Sequence, residues 1–344
     1  MKKTHYLSSK ELPAPPHGKS EWPWTGGSSA LPDNMPDGSP WPRISIVTPS
    51  FNQGQFIEET IRSVLLQGYP DLEYIIIDGG STDNTVDIIK KYEKWLTYWV
   101  SKPDKGQCHA INKGFAKASG EIYAYINSDD LYELNTFRII APLFTKKDGY
   151  HLVVGECTIF DEDVEKRIFK PWWPERIDHF LQPFSSTFAQ PASFWTKYIY
   201  DQVGGFDEAF HFCLDQEFFL RIGLAGITPC LISDKIAHYR EHSNIKTRHT
   251  IRFYEEDIPV IQKYAKACGI SKKRKRDLLD QCLDEISYIQ VFICWKKRGR
   301  FSAMRKFLGM ILKSPSLLVE RKILGLGCRL ISFKAKDVAE LKNV

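Results

Sequence analysis

The sequence predicts an α/β protein: a mostly parallel, doubly wound sheet flanked by helices, followed by a helical and basic C-terminal extension. Three observations lead there. Between residues 43 and 130, short β-branched runs alternate with amphipathic stretches, as repeated βα units do. Glycines, carboxylates and hydroxyls gather just after each of four apolar runs. Beyond about residue 250, Leu, Ile and Phe are mixed with Lys and Arg over long stretches.

The elements follow in order. Ile44-Ser45-Ile46-Val47-Thr48 reads as the first strand. A helix is expected over 56–66, where Ile57, Ile61, Val64 and Leu65 share one face. Tyr74-Ile75-Ile76-Ile77 is an unbroken apolar run, as in a strand covered on both faces. Thr85–Tyr92 predicts a short helix and Thr97–Ser101 a third strand. Gln107–Ala118 predicts a third helix, closed by Ser119-Gly120, and Ile122–Ile126 a fourth strand. Between 150 and 240 the pattern is mixed. Leu152–Val154 and Thr158–Phe160 read as strands, and Leu214–Ile222 as a helix or its start. Helical patterns return over Lys272–Lys297, Phe301–Leu312 and Leu317–Phe333. Residues 1–42 are rich in Pro, Gly and Ser, which disfavours helix and central strand. Three exposed tryptophans would be unusual, so an extended arm is expected whose Trp22, Trp24 and Trp41 dock on the main domain.

The chain has 344 residues, 43% of them hydrophobic, enough for one large domain or two modest ones. Its net charge of +5 is mild, and no nucleic-acid partner is expected. The eight cysteines form no CxxC pair and have no histidines at zinc spacing, which fits thiols in a reducing compartment. No stretch approaches the roughly 18–20 apolar residues of a membrane span, and Met1–His5 leads into polar sequence. A cytoplasmic location is expected.

In a doubly wound sheet, ligands lie outside the carboxyl ends of the strands. There the sequence places Thr48-Pro49-Ser50, Asp78–Asp83, Lys102–Gly106 and Asn127-Ser128-Asp129-Asp130. Four such loops on one rim describe a binding crevice. Neither a G-x-G-x-x-G nor a P-loop pattern follows the first strand, where Phe51-Asn52-Gln53-Gly54 has one glycine. The alternative is a divalent cation, held by carboxylates and bridging phosphate oxygens. That would account for Asp129 and Asp130, two adjacent acids at the end of a buried strand.

These residues carry a resemblance. "SIVTPSFNQGQFIEETIRSVLLQ", "EYIIIDGGSTDNT", "SKPDKGQCHAINKGFAKASGEI" and "YINSDDLY" together resemble the family-2 glycosyltransferases of the GT-A fold, a Rossmann-like type. The likeness runs from about 43 to 245 and includes "QPASFWTK", "VGGFDEAF" and "LDQEFFLR". It implies an arm over 1–42, a GT-A domain over 43–249 and a helical basic region over 250–344. Within the domain, 43–130 would bind nucleotide and 131–249 the acceptor.

By that resemblance, Thr48, Pro49 and Asn52 would line the nucleoside pocket. Asp78 would accept from a base N–H, and Asp104 would be a further nucleoside contact. The family's Asp-x-Asp motif reads Asn127-Ser128-Asp129 here, so Asp129 is left as the main ligand for Mn²⁺ or Mg²⁺. Asn127 and Ser128 would contact the ribose or sugar. The implied reaction is inverting transfer from a nucleotide-diphosphate sugar, such as a UDP-sugar, to a hydroxyl of a carbohydrate or lipid-linked carbohydrate. Its place would be surface polysaccharide or glycolipid synthesis. The general base is assigned to Asp215, with Glu217 as fallback and acceptor contact. Gln190 would sit near the acceptor. The stretch 238–247 resembles a loop that closes over the diphosphate, with His242 as a metal ligand and Lys246 on the phosphates.

The basic helices of 272–336 suit an anionic membrane surface, on the inner face of the membrane; the plainer reading is a helical cap with a solvated basic face. Two other functions compete. One is a non-catalytic nucleotide-sugar-binding protein, which would need no base. The other is a nucleotidyltransferase, which would want Lys or Arg near the first strand, where residues 48–56 have none.

Overall fold

The computed structural model describes residues 7–145, 149–161, 164–243 and 245–313. They divide into two compact units. One joins the chain up to His179 with Ser186–Arg248; the other joins Phe180–Ser185 with the helices after His249.

The first unit is the expected α/β fold. Its first half alternates β1 (Ile44–Ser50), α1 (Ile57–Leu65), β2 (Leu72–Asp78), α2 (Thr85–Tyr92), β3 (Tyr98–Ser101), α3 (Gln107–Phe115) and β4 (Ile122–Tyr125). Then come β5 (Leu131–Tyr132), α4 (Thr136–Phe144), β6 (Leu152–Asp161), β7 (Val164–Phe169), β8 (Ser193–Thr196), α5 (Lys197–Val203), α6 (Leu214–Leu224) and β9 (Cys230–Arg240). Among the described residues the strands form one sheet in the order β3-β2-β1-β4-β8-β6-β9-β5, with β7 beside β6. The run β3-β2-β1-β4 is wholly parallel, as is the pair β6 and β9. The chain turns antiparallel at β4 and β8.

The order reverses at β1, with β2 on one side and β4 on the other. Such a switch point opens a crevice at the strands' carboxyl ends. Every residue of β1 is buried, as in a strand covered on both faces; its polar Ser45 and Thr48 are paired with Glu73 and Tyr74. Ile57, Ile61 and Val64 of α1 are fully buried in the core with Ile44, Ile46 and Ile76.

Two departures from the sequence reading have local causes. The segments 152–154 and 158–160 are one strand, β6, not two. The Gly155-Glu156 interruption is a bulge in the β6–β9 register. A Cβ on Gly155 would stand 2.6 Å from Ile236, so only glycine lets the strands approach there. The helix α3 ends at Phe115, not Ala118, in overlapping turns at Lys117 and Ala118. The strands β5, β7, β8 and β9 are not predicted by the sequence pattern.

The arm does dock. Trp24 and Trp41 are buried, and the Trp22 indole donates to the Tyr132 carbonyl at 3.0 Å. Arg62 of α1 is fully buried, and donates to the carbonyls of Pro13, Pro23 and Trp24. A buried guanidinium is tolerated only with its donors satisfied, and arm carbonyls satisfy them.

The second unit contains α7 (Thr250–Tyr264), α8 (Lys272–Arg298) and α9 (Arg300–Lys313). Ser271 caps α8, its side chain accepting from the Arg274 amide at 3.1 Å. Val291 of α8 packs with Ala303, Phe307 and Met310 of α9. The Phe184 amide donates to Asp257 of α7 at 2.8 Å, and its ring meets Phe253 edge to face. The stretch Leu317–Phe333, with the basic residues from Arg321 on, lies outside the described residues.

Candidate active site

The loops after the first four strands do meet. They line a cleft of ≈ 660 Å³, within the range of small-molecule sites. The loop after β1 contributes Pro49, Ser50, Phe51 and Gln53, and that after β2 contributes Gly79. The loop after β3 contributes Pro103, Asp104 and Gly106, with Gln107 opening α3. Asn127, Ser128 and Asp129 follow β4, and His211, Tyr239, Arg240, Ile245 and Lys246 complete the lining.

Seven expected residues do not line it, among them Asp215 and also His242, which meets the lining residue Asp129. Thr48 is buried, its hydroxyl 3.1 Å from that of Tyr74. It lies within β1 opposite Ile76 of β2, whereas Pro49 and Ser50, at the carboxyl end of the strand, line the cleft. Asn52 sits in the left-handed region at φ 52° and clamps the next loop, accepting from the Thr82 amide at 2.9 Å. Asp78 is buried, and its carboxylate accepts from the Gly80 and Ser81 amides and the Ser81 and Ser101 hydroxyls. It holds the loop wall rather than facing the cleft. Gln190 is buried and donates to the Tyr125 carbonyl at 2.8 Å. Glu217 has no exposure and is gripped by the Arg221 guanidinium at 2.8 to 3.0 Å. Arg221 also donates to the carbonyls of Val203, Gly204 and Gly205. Glu217 thus anchors a turn and has no room for an acceptor.

The remaining residues come together. Asp104 accepts from the Gly106 amide at 2.8 Å. Gly106 has φ +115°, a conformation that favours glycine, and delivers the N-terminus of α3 to the cleft. That positive helix end suits an anion. Asp129 and His242 meet at 3.1 Å, between Oδ2 and Nε2. The His242 ring packs on Phe56. Lys246 reaches across the cleft to the Gln107 side chain and the His211 carbonyl.

The two adjacent acids are not equivalent. Asp129 opens on the cleft, whereas Asp130 is 1% exposed. Asp130 accepts from the Arg240 amide at 3.0 Å and from the Asn127 amide group at 3.3 Å. Burial, and then the neighbouring Asp129 charge, push its carboxyl well above the usual range. An acid at 127 would add a third negative group to this pair. The amide instead donates to Asp130 and accepts from Gln107 at 2.6 Å.

Asp215 lies in the first turn of α6, half-buried. Burial raises its carboxyl above the ordinary value, although the Gln216 amide and Lys246 pull the other way. It is electrostatically coupled to Tyr239 and Lys246, both of which line the cleft.

For a divalent cation the chain offers the Asp129 carboxylate and the His242 imidazole. Among the described residues no group of three or more His, Cys, Asp or Glu stands ready to hold a metal. This pair would supply one oxygen and one nitrogen ligand, a set that suits Mn²⁺ better than Mg²⁺.

Sequence reasoning missed Phe51 and Gln107, and gave no role to Tyr239 and Arg240 within the 238–247 stretch, whose first three residues are the end of β9 and not a loop. Phe51 is 59% exposed in the lining, an aromatic face turned to the cleft. It stands next to the motif residues that were singled out. Tyr239 and Arg240 end β9, whose apolar run is broken by Ser233-Asp234-Lys235.

Fold and cleft define a GT-A glycosyltransferase. Residues 45–201 match the family described as Glycosyl transferase family 2. An uncharacterized glycosyltransferase of Mycobacterium tuberculosis, Rv1514c, is 32% identical over 187 residues, 53% of this chain and 70% of that protein. The GalNAc(5)-diNAcBac-PP-undecaprenol β-1,3-glucosyltransferase of Campylobacter jejuni is 30% identical over 125 residues, 35% of this chain and 40% of that one. Among solved structures, S. aureus TarS 1–349 in complex with UDP-GlcNAc shares the fold, with a TM-score of 0.53, 15% identity and 83% of each chain covered. The chain belongs to the family-2 glycosyltransferases.

Proposed function

We propose that this glycosyltransferase moves a sugar from a UDP-sugar, with inversion, to a hydroxyl on a surface glycan or lipid-linked carbohydrate. The observation that carries the reading is Asp215: a carboxylate held above its usual pKa and coupled to two cleft-lining residues. Asp215 takes the proton of the acceptor hydroxyl as that oxygen bonds to the anomeric carbon and the bond to the diphosphate oxygen breaks. Asp129 and His242 would hold Mn²⁺ or Mg²⁺ there; when bound, the cation supplies charge stabilisation to the leaving diphosphate. The α3 N-terminus and Lys246 add positive potential on the same side. Phe51 offers a flat face for the base, and Asp104 a polar contact to the nucleoside. A UDP-sugar donor is supported by the UDP-GlcNAc held by TarS, and a lipid-linked acceptor by the named substrate of the Campylobacter enzyme.

A panel of nucleotide-sugars, incubated with Mn²⁺ and candidate acceptors and followed by nucleoside diphosphate release, tests this. Release is expected from a UDP-sugar, lost with EDTA, and reduced in Asp129→Ala by about 10²-fold or more, in keeping with loss of charge stabilisation at the leaving group. Binding without any turnover would favour a non-catalytic binder. Release of pyrophosphate would favour a nucleotidyltransferase.

We also infer contact with an anionic membrane through α8 and α9. Among the described residues no helix is long and apolar enough to cross a membrane. On α9, Phe301 is 92% exposed and Leu312 83%, with Leu308 and Arg305 on the same stripe, opposite the buried Ala303, Phe307 and Met310. Lys272, Lys273 and Arg274 stand in the first turn of α8, where the helix dipole disfavours cations. On α9 itself the exposed Arg305 and Lys306 stand among the exposed apolar residues, a pattern that suits an acidic lipid surface. Full-length protein is expected to float with phosphatidylglycerol vesicles, and the Phe301→Ser, Leu308→Ser, Leu312→Ser variant to float far less. Equal flotation would remove the idea.

A further inference from the structure

We propose that the N-terminal arm is a positioning strut for the donor site: through Glu59 it holds Arg240 against Asp129 and Asp130, and so sets where the Asp129 carboxylate stands. This rests on the reading that Asp129 serves the donor diphosphate.

The connection runs through a single carboxylate. Glu59 of α1 is 7% exposed. Its Oε1 accepts from Lys19 Nζ at 2.9 Å and from the Trp24 indole at 3.1 Å, both arm residues. Its Oε2 accepts from the Arg240 guanidinium. Arg240, 6% exposed, donates from Nε to the Asp129 carbonyl at 3.0 Å and from its backbone amide to the Asp130 carboxylate at 3.0 Å. Its guanidinium lies over the rings of Phe160 and Phe56, 4.4 and 5.0 Å from their centroids.

Each part of this chain constrains the next. A buried arginine and a buried carboxylate each cost several kcal/mol alone and are tolerable only with full pairing. Arg240 supplies one side of Glu59, and the arm supplies the other. The Glu59 oxygens are therefore fixed from both ends, which a surface ion pair would not achieve. The neighbouring residues of α1 repeat the arrangement. Thr60 donates to the Asp130 carbonyl at 2.8 Å, and the Ser63 hydroxyl accepts from the Tyr132 amide at 3.2 Å. Arg62, one residue before Ser63, holds the arm at Pro13, Pro23 and Trp24. So α1 is clasped by the arm while it carries the segment from Asp129 to Tyr132. An arm that served only to cover apolar surface would not need to place two donors on the carboxylate that also holds Arg240.

The test is the full chain carrying Lys19→Met with Trp24→Phe. The pair removes both arm donors from Glu59 and keeps a large aromatic ring at 24. Hydrogen exchange in the peptide covering 127–132 is expected to accelerate about tenfold, with the β2 peptide 72–78 unchanged, as in a local opening. With the donor that supports turnover, kcat should fall several-fold more than KM rises. Lys19→Arg with Trp24 intact keeps the ion pair and should exchange as the wild type does. Unchanged exchange at 127–132, or an equal rise at 72–78, would overturn the proposal, whatever the activity. If the wild type turns over no nucleotide-sugar, the donor reading fails, and the exchange comparison still decides whether the arm fixes this segment.

Discussion

Asp215→Asn is expected to lower kcat by about 10²–10⁴-fold, the usual worth of a general base, while nucleoside diphosphate affinity stays within about twofold. The amide keeps the size of the side chain and its place in the first turn of α6, but cannot take a proton. Steady-state kinetics with calorimetric titration of UDP checks both halves, and normal turnover would refute the assignment. The pH dependence gives a second view. The carboxyl is raised by burial, so the acid limb of kcat/KM should lie above the ordinary carboxylate range, and activity should fall as pH drops through it. The linkage sign is opposite for stability. A carboxyl with a higher pKa in the folded state binds its proton more tightly there, so its favourable contribution is present below the unfolded pKa and is lost as pH rises through the folded one. Asp215→Asn should therefore be somewhat more stable than the wild type at neutral pH. A residue that serves catalysis at a cost in stability behaves in this way.

Glu217→Ala is expected to do the reverse. Glu217 is fully buried and bound by Arg221, whose other donors hold three consecutive carbonyls at Val203–Gly205. Removing one partner of a buried pair leaves the other charge uncompensated and costs about 3–5 kcal/mol. The midpoint of urea unfolding should fall accordingly. Measured well below its unfolding midpoint, the variant should keep a kcat close to that of the wild type. A large loss of kcat in stably folded Glu217→Ala would return Glu217 to the catalytic role and weaken the case for Asp215.

What could be read from the sequence followed from periodicity and rim chemistry. The parallel half of the sheet was legible because β1, β2 and β4 are buried and carry apolar stretches at Ile46-Val47, Tyr74–Ile77 and Ile122–Tyr125. The four rim loops were legible because each breaks such a run with several polar residues at once. Direction was not legible. Motif letters say that Thr48, Asp78 and Gln190 stand near the crevice; only burial and the local hydrogen bonds show that Thr48 pairs with Tyr74, Asp78 with its own loop, and Gln190 with Tyr125 and Asn127 behind the lining. The antiparallel half was poorly legible for a similar reason. A bulge at Gly155 splits β6, and polar residues interrupt β9, so neither has the period of a simple strand. The pairing of Glu59 with Arg240, far apart in the chain, leaves no mark in local sequence at all.

The change from parallel to antiparallel pairing at β4 and β8 has a consequence for inheritance. The crossovers β1–α1, β2–α2, β3–α3 and the turn after β4 all leave the sheet at the same edge, so the donor walls are encoded by one unbroken stretch of chain, Pro49 to Asp129. Beyond the seam the lining comes from separate pieces, the loop at His211 before α6, the end of β9 at Tyr239 and Arg240, and the turn at Ile245 and Lys246. Recombination can thus move the nucleotide-facing walls as a single cassette. The side from His211 to Lys246 is contributed by separate segments, each of which must be fitted to that cassette on its own.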